Sequence, residues 1–223
     1  MTVFFPPRED IAVELRGSLP ERIAQRLARP LPGAAAQSRF ASELCYGRHS
    51  IQPFLDTRHA AVLVLLYTTQ GAWHIPLILR PQHMSLHAGQ VSFPGGERHS
   101  GESAEEAALR EFEEELGVPG EAVVILGRLS PLFVFGSNYL VTPCVASASG
   151  RPAFAANPAE VARLLELPLA TLSDPGARGV HWIQREGVSY RAPHIEFQSC
   201  RIWGATSMML AELTSVLDEV GTS

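Results

Sequence analysis

Short hydrophobic runs, separated by polar stretches that contain glycine and proline, divide the chain into predicted strands. Residues 59–67 form a short apolar run rich in branched side chains, which predicts a buried strand. Gly71 predicts a turn, and residues 73–79 predict the returning strand, in which Pro76 indicates an edge or a bulge. Shorter runs predict further strands at residues 122–126, 139–146, 180–183 and 195–197.

Helical spacing of hydrophobic residues predicts helices at residues 20–29, 104–116, 158–165 and 206–219. Ser103 and Glu106 have the spacing of a capping box before the second helix, and Gly117 stands where that helix should end. The stretches 30–57 and 130–138 are predicted to be mostly irregular. Because strands and helices are mixed without a regular β-α-β alternation, the chain is predicted to be an α/β protein of the mixed α+β kind, with helices on both faces of a mixed sheet.

Composition and charge limit the classes of function. Of the 223 residues, 46% are hydrophobic and 18% are charged, as expected for a soluble globular core with appendages. The net charge of −5 argues against a nucleic-acid partner, and an acidic enzyme acting on an anionic nucleotide needs local positive charge such as a metal. The longest apolar run, residues 60–66, is about a third of a membrane span, and the N-terminus has no signal-peptide run. We therefore expect a cytoplasmic protein with no membrane partner.

Cysteine usage supports the same expectation. The chain has three cysteines, far apart in the sequence: Cys45, Cys144 and Cys200. No pair has the short spacing of a zinc site, and an odd number fits a reducing compartment better than a disulfide framework. All three are predicted to be ordinary thiols.

The helix predicted at residues 104–116 has an unusual distribution of charge. Leu109, Phe112 and Leu116 fall on one face and should be buried. The opposite face gathers three glutamates at steps of three and four residues: Glu111, Glu114 and Glu115. Most such runs are solvated surfaces, but these acids lie in the last turns, where the helix dipole disfavours them, and each like pair costs about 0.2–0.5 kcal/mol. Three converging carboxylates are tolerable around a divalent cation, and oxygen ligands suit Mg²⁺ or Mn²⁺.

A longer motif surrounds these glutamates. From Gly96 the chain continues with five residues to Glu102, and then with seven residues to the run Arg110-Glu111-Phe112-Glu113-Glu114-Glu115-Leu116-Gly117-Val118. This pattern resembles the Nudix box at every specified position, although Phe112 is bulkier than the usual aliphatic residue. The resemblance implies a Nudix-type α/β/α sandwich in residues 58–223, after an N-terminal helical extension in residues 1–57. It also implies a pyrophosphohydrolase that cuts a nucleoside diphosphate derivative with Mg²⁺ or Mn²⁺ as cofactor.

The resemblance implies a set of metal ligands. Glu111, Glu114 and Glu115 are expected to hold the metal together with the backbone carbonyl of Gly96. Gly95 and Gly96 fit this role because they leave no side chain to block the approach of the backbone to an ion and a phosphate.

The resemblance also implies catalytic roles. Arg110 is expected to pair with a carboxylate, for example Glu102, and to hold the metal ligands in position. The alternatives are that Arg110 is a plain surface cation and that Glu102 is only an acid in the first turn of the helix. The general base is left open between Glu114, Glu115 and Glu160, the last of which lies outside the motif.

Further stretches resemble the coenzyme A pyrophosphatase branch of this family. They are residues 87–96, 130–131, 141–143, 157–161 with 168–169, and 202–206. This resemblance implies that coenzyme A or its thioesters are cut into 3′,5′-ADP and 4′-phosphopantetheine. Pro81 and Ser85 depart from the branch, which usually has serine and arginine there, so ADP-ribose or another nucleoside diphosphate derivative is the alternative substrate. A non-catalytic ligand sensor is a further hypothesis, which the intact set of acids disfavours.

Three residues before the glycine loop are candidates for contact with the nucleotide: Arg80, His87 and Gln90. A structural, hydrogen-bonded histidine is the alternative for His87, and Trp203 is expected to be a core residue rather than a stacking platform. Residues 1–57 carry no cluster of chemistry-bearing residues and are expected to cap or dimerise the domain. The expected partners are therefore a small-molecule nucleotide and a second copy of the chain.

Overall fold

The computed structural model describes residues 17–45, 53–83, 87–185 and 187–221. The helices in these residues are α1 (Leu19–Leu27), α2 (Gly33–Gln37), α3 (Ala104–Leu116), α4 (Ala170–Ser173) and α5 (Ala205–Val220). The strands are β1 (Arg58–Thr69), β2 (Ala72–Leu79), β3 (Val91–Ser92), β4 (Gly95–Glu97), β5 (Val124–Arg128), β6 (Leu132–Val134), β7 (Tyr139–Ser147), β8 (Arg163–Pro168), β9 (Arg178–Arg185), β10 (Val188–Phe197) and β11 (Cys200–Trp203).

Strand β1 is the centre of a mixed sheet that β1 to β8 form. It runs parallel to β7 and antiparallel to β2 and β4, while β3 and β8 pair with β2, and β5 and β6 pair with β7. Successive side chains of β1 point to opposite faces, so Leu63 and Leu65 pack with α3, whereas Val64 and Leu66 pack with α1 and α5. The result is the predicted α/β/α sandwich. Strands β9, β10 and β11 form a separate antiparallel sheet.

Helix α3 begins and ends where the sequence predicts. The amide of Glu106 donates to the Ser103 hydroxyl at 3.2 Å, and the amide of Ser103 donates to the Glu106 carboxylate at 2.8 Å. Gly117 ends the helix in the left-handed conformation, with φ of 67°. Phe112 is fully buried, as predicted, whereas Leu109 is only partly buried at the edge of the same cluster.

The helix predicted at residues 158–165 is wrong. The chain makes a turn at residues 158–160 and then enters β8, which pairs with β2 along its whole length. Leu165 and Leu167 are fully buried while the residues between and beside them are half-buried or exposed, which is the alternation of a strand. Leucine and glutamate favour helices, but pairing and burial against β2 outweigh that local preference.

The other differences concern the lengths and the number of strands. Strands β9 and β10 extend well beyond the predicted 180–183 and 195–197, and β6 lies in a stretch predicted to be irregular. Strand β11 was not predicted, because its hairpin turn uses Gln198 and Ser199 at positive φ instead of glycine. Pro76 lies in a strand that has neighbours on both sides, so the prediction of an edge is wrong. On one side Pro76 pairs with Glu166 of β8, and on the other it lies between the part of β2 that pairs with β1 and the part that pairs with β3.

The N-terminal helices pack on the same core as the rest of the chain. Leu19, Ile23 and Leu27 of α1 are buried, and α1 contacts α5 and β5. Helix α2 also packs against α5. The division into an extension, 1–57, and a domain, 58–223, stays a prediction.

Two simpler features concern the cysteines and the helices. Cys144 is buried and the other two cysteines are half-buried, and all three are free thiols. Burial raises the pKa of the Cys144 thiol to about 12. Among the residues that the structure describes, no helix is both long and apolar enough to cross a membrane.

Candidate active site

The glycine loop lies directly against helix α3. Pairing of Gly96 with Ala61 places β4 along the edge of β1, beneath the helix. A Cβ atom on Gly96 would lie within 2.5 Å of both carboxylate oxygens of Glu111, and one on Gly95 would overlap the carbonyl oxygen of Ala61. Glycine at position 96 therefore allows the backbone to approach the Glu111 carboxylate, and glycine at position 95 allows it to lie against β1.

Arg110 lies at the centre of an ion cluster. Its Nε and Nη2 donate to the two carboxylate oxygens of Glu102 at 2.8 and 3.2 Å, and its Nη1 donates to Glu111 at 2.7 Å. Glu114 lies 3.5 Å from Nη1, and Nη2 also donates to the backbone carbonyl of Glu97 at 3.1 Å. The Arg110 guanidinium lowers the pKa of Glu102 to about 2. Arg110 and Glu102 therefore belong to a cluster of side-chain ion pairs. Arg110 is not an isolated surface cation, and Glu102 is not merely an acid in the first turn of the helix.

Glu115 lies apart from the other two predicted ligands. Its side chain is 2% exposed, compared with 16% for Glu111 and 53% for Glu114. One carboxylate oxygen accepts a hydrogen bond from the amide of Gly95 at 2.9 Å, and burial raises its pKa to about 8. The prediction that the three glutamates share one face opposite the buried residues is therefore wrong. The physical reason is that β4 covers the side of α3 to which Glu115 points.

Two buried polar atoms on the α3 side of the sheet have no hydrogen-bond partner in the described part of the chain. They are Nε of Arg80, which follows β2, and Oγ of Ser92 in β3. Ser92 is paired with Ile78, which packs on the α3 side of the sheet, so the Ser92 side chain lies on that side as well. Nη1 of Arg80 lies 3.8 Å from the Glu115 carboxylate. Because a buried polar atom without a partner is costly, such atoms indicate a functional site.

The loop that contains His87 and Gln90 folds back on Arg80. Nδ1 of His87 lies 2.9 Å from the side-chain oxygen of Gln90, and the Gln90 carbonyl accepts a hydrogen bond from the Arg80 amide at 3.0 Å. The structure thus brings the three predicted nucleotide contacts together, with His87 hydrogen-bonded as its structural alternative requires. Ser85, at which the sequence departs from the coenzyme A branch, lies outside the described residues.

Glu160 and Trp203, the remaining candidates, have separate surroundings. Glu160 accepts a hydrogen bond from Asn157 at 3.3 Å, and its charge contributes to the raised pKa of Glu115. Trp203 is half-buried and packs edge-on against His181 at 5.8 Å. Glu160 therefore lies near the buried end of the acidic set, whereas Trp203 belongs to the smaller sheet.

The donor set suits a hard cation, although its side chains do not converge on one point in this structure. The carboxylates of Glu111, Glu114 and Glu115 and the carbonyl of Gly96 are all oxygen donors, the kind that Mg²⁺ and Mn²⁺ prefer. Within the described ranges, no group of three histidine, cysteine, aspartate or glutamate side chains is arranged as a metal site. The expected convergence is absent because Arg110 holds two of the carboxylates and a backbone amide holds the third. Donor chemistry and the cradle at Gly96 therefore support a metal.

Several contacts of this site come from groups that the sequence did not single out. The amide of Gly95 binds Glu115, the carbonyl of Glu97 binds Arg110, and Ser92 adds an unpaired hydroxyl. Contacts made by backbone groups cannot be predicted from the identity of the residue. Ser92 lies in β3, a strand that the sequence did not predict, so the direction of its side chain could not be predicted either.

Comparison with known proteins agrees with this geometry. Residues 57–189 match the NUDIX domain family. The Nudix hydrolase NudL of Photorhabdus laumondii is 35% identical over 169 residues, which cover 71% of this chain and 84% of that protein, and NudL of Yersinia enterocolitica is 36% identical over 171 residues, covering 71% and 80%. The fold resembles that of RenU, a Nudix hydrolase from M. smegmatis, with a TM-score of 0.54 and 20% identity over 82% of this chain and 96% of that one. The chain thus belongs to the Nudix family and is a Nudix hydrolase.

Proposed function

We propose that this protein hydrolyses the pyrophosphate bond of a nucleoside diphosphate derivative, and that coenzyme A or its thioesters are the preferred substrates. Water adds to one phosphorus while the bridging P–O bond breaks, which gives 3′,5′-ADP and 4′-phosphopantetheine. The observation that carries the proposal is the oxygen-rich site between Gly96 and α3, in which Arg110 holds Glu102, Glu111 and Glu114 together.

Mg²⁺ or Mn²⁺ is the cofactor that this donor set fits. Glu111, Glu114, Glu115 and the carbonyl of Gly96 are the groups that hold it. When bound, the ion screens the pyrophosphate charge and lowers the pKa of a water molecule.

The chain's own residues position the acids and accept the proton. Arg110 is fixed by two hydrogen bonds to Glu102, and this keeps Glu111 and Glu114 side by side despite their mutual repulsion. Glu114 is the general base that we favour, because its carboxylate is the most exposed of the set and can meet a water molecule. Glu115 is too deeply buried for that role in the observed arrangement.

Arg80 and Ser92 are proposed to bind the phosphates. Both side chains lie on the α3 side of the sheet, where Arg80 approaches Glu115, and a phosphate oxygen would give Arg80 Nε and Ser92 Oγ the partner that they lack among the described residues. Because every candidate substrate contains the pyrophosphate, Arg80→Ala should lower kcat/KM for all of them. The 3′-phosphate of coenzyme A then needs a different cation.

The substrate is tested by a panel of coenzyme A, dephospho-coenzyme A and ADP-ribose with Mg²⁺ or Mn²⁺, with the products identified by mass spectrometry. For coenzyme A we expect kcat/KM at least about tenfold higher than for the other two, which corresponds to about 1.4 kcal/mol. Excess EDTA should abolish turnover. A preference for ADP-ribose would overturn the coenzyme A assignment, and no hydrolysis of any of the three would overturn the proposed activity.

A further inference from the structure

Three side chains meet at one end of the large sheet, next to the candidate active site. Arg58 and Tyr139 begin β1 and β7 and are directly paired, and Glu97 ends β4. The guanidinium carbon of Arg58 lies 4.1 Å from the centroid of the Tyr139 ring. One oxygen of Glu97, Oε2, accepts hydrogen bonds from the Tyr139 hydroxyl at 2.7 Å and from Arg58 Nη1 at 3.3 Å. We call these three residues the Glu97 platform.

The platform lies on the opposite side of strand β4 from the candidate active site. Glu97 follows Gly96 directly, and its carbonyl accepts a hydrogen bond from Arg110. Alternate residues of a strand face opposite sides, so Gly96 faces α3 while the Glu97 side chain faces the other layer of the sandwich. The residues paired with them, Ala61 and Ala60, likewise belong to the two different clusters. A ligand with its phosphates at Gly96 can therefore extend around the edge of β4 to the platform.

The chemistry of the platform suits a flat, nitrogen-rich ring. The Arg58 and Glu97 side chains are 46% and 48% exposed, so the guanidinium has one face on Tyr139 and an open outer side. In the described residues neither hydrogen bond to Glu97 uses Oε1, which remains as an acceptor. Nucleobases stack on aromatic rings and on arginine planes, and a carboxylate accepts hydrogen bonds from an exocyclic amino group.

We propose that the Glu97 platform is the nucleobase subsite of the enzyme. The base stacks on Arg58, and its amino group donates to Oε1 of Glu97, which selects adenine-type bases over bases that carry an oxygen at that position. This inference rests on the proposed function for the location of the phosphates at Gly96. Coenzyme A and ADP-ribose share the adenosine half, so the platform recognises the part that they have in common and does not distinguish between them.

Binding of substrate fragments tests the subsite without catalysis. Full-length protein in EDTA is titrated with AMP, IMP and ribose 5-phosphate, followed by calorimetry or ligand-observed NMR. The wild type should bind AMP about tenfold more tightly than ribose 5-phosphate, because stacking is lost without the base. It should also bind AMP about tenfold more tightly than IMP, which lacks the amino donor.

Variants separate stacking from charge. Arg58→Lys keeps the charge but removes the planar face, and should abolish the preference for AMP over ribose 5-phosphate. Glu97→Ala should abolish the preference for AMP over IMP. Arg191→Lys is the matched control, because Arg191 and Glu43 form another exposed ion pair, and it should leave both preferences unchanged.

Each outcome is decisive. Equal binding of AMP and ribose 5-phosphate by the wild type, absence of binding by all three ligands, or an AMP preference that survives Arg58→Lys would overturn the subsite. The panel of pyrophosphate substrates is read separately. If the pyrophosphate substrates are hydrolysed but AMP binds no better than ribose 5-phosphate, only the subsite is rejected. If AMP binds better but none of the pyrophosphate substrates is hydrolysed, only the proposed activity is rejected.

Discussion

Two buried glutamates, on helices that cover opposite faces of the sheet, have very different surroundings. Glu212 of α5 is fully buried. Its carboxylate accepts hydrogen bonds from the amide of Gly33 and the side chain of Gln37, both at 2.9 Å, and from the amide of Ser130 at 3.2 Å. These donors come from α2 and from the segment after β5, so Glu212 joins the N-terminal helices to the core of the domain.

Glu115 of α3 is almost as deeply buried but is poorly satisfied. Among the described residues it accepts one hydrogen bond, from Gly95, and its other oxygen lies 3.8 Å from Arg80. A buried carboxylate whose oxygens all accept hydrogen bonds has a structural role. A buried carboxylate with few hydrogen bonds and a pKa raised to about 8, such as Glu115, has the features of a functional group. Burial alone does not distinguish the two; the number of donors does.

Removal of the N-terminal segment should have the largest effect on stability. A shortened chain that begins at Asp56 loses Gly33 and Gln37 as donors to Glu212 and also loses the buried α1 side chains Leu19, Ile23 and Leu27. At roughly 1.5–3 kcal/mol for each buried aliphatic side chain, the free energy of unfolding should fall by about 5 kcal/mol or more, as measured by thermal and urea denaturation.

Ile23→Ala in the full chain is the milder companion of this truncation and should cost about 2–4 kcal/mol. Bound Mn²⁺, followed by electron paramagnetic resonance, then reports whether a folded shortened chain keeps its metal site. An unchanged melting temperature in the shortened chain would show that the segment is not part of the core. Loss of the metal site in a chain that still folds would show that the segment builds the active site.

Replacement of the poorly satisfied glutamate should affect activity instead of stability. Glu115→Gln keeps the shape of the side chain and removes a carboxylate that could ligate a metal, so kcat should fall by about 10²-fold or more. The free energy of unfolding should change little, because burial already disfavours the ionised form of Glu115. Glu114→Gln should lower kcat by a similar factor. Glu113→Gln, an exposed acid in the same helical turn, is the matched control and should keep most of the activity. Wild-type rates in both ligand variants would contradict the assignment.

This contrast also shows which parts of the site the sequence could predict. The ends of α3 follow from local chemistry, a capping box at Ser103 and a left-handed glycine at Gly117, so they were predicted correctly. The burial of Glu115 depends on β4, which packs on one side of the helix, and no spacing within the helix contains that information. The strand β8 was missed for the same reason, because its partner β2 lies about 85 residues earlier in the chain and overrides the helical preference of its leucines.

Replacement of the satisfied glutamate should have the opposite pattern. Glu212→Ala removes the acceptor of the half-buried Gly33 and Ser130 amides and one of the two acceptors of the Gln37 side chain. We expect a loss of about 2–3 kcal/mol in the free energy of unfolding, with little change in kcat of the folded protein. The comparison is Glu219→Ala on the same helix, which removes the half-exposed partner of the buried Arg26. Because Arg26 keeps its hydrogen bond to the carbonyl of Pro30, we expect a smaller loss than for Glu212→Ala. A large fall in kcat for Glu212→Ala would contradict the assignment of a purely structural role to Glu212.

The smallest expected effect comes from a third arrangement, in which a half-buried and a buried histidine contact each other. Nδ1 of His181 lies 3.0 Å from Nδ1 of His194, a contact that one proton can bridge but two cannot. Burial lowers the pKa of both imidazoles, so below the unfolded value of about 6.5 the unfolded chain binds more protons than the folded one. Stability should therefore be complete above about pH 6.5 and should decrease as the pH falls from there toward the lower folded pKa values.

Urea denaturation at pH 7.5 and pH 5.5 measures this loss. His181→Gln removes one member of the pair and should reduce the difference between the two pH values. His83→Gln, at an exposed histidine, should leave the difference unchanged. Equal stability of the wild type at both pH values would contradict this prediction. It would mean that the two histidines accept protons in the folded protein as readily as in the unfolded chain.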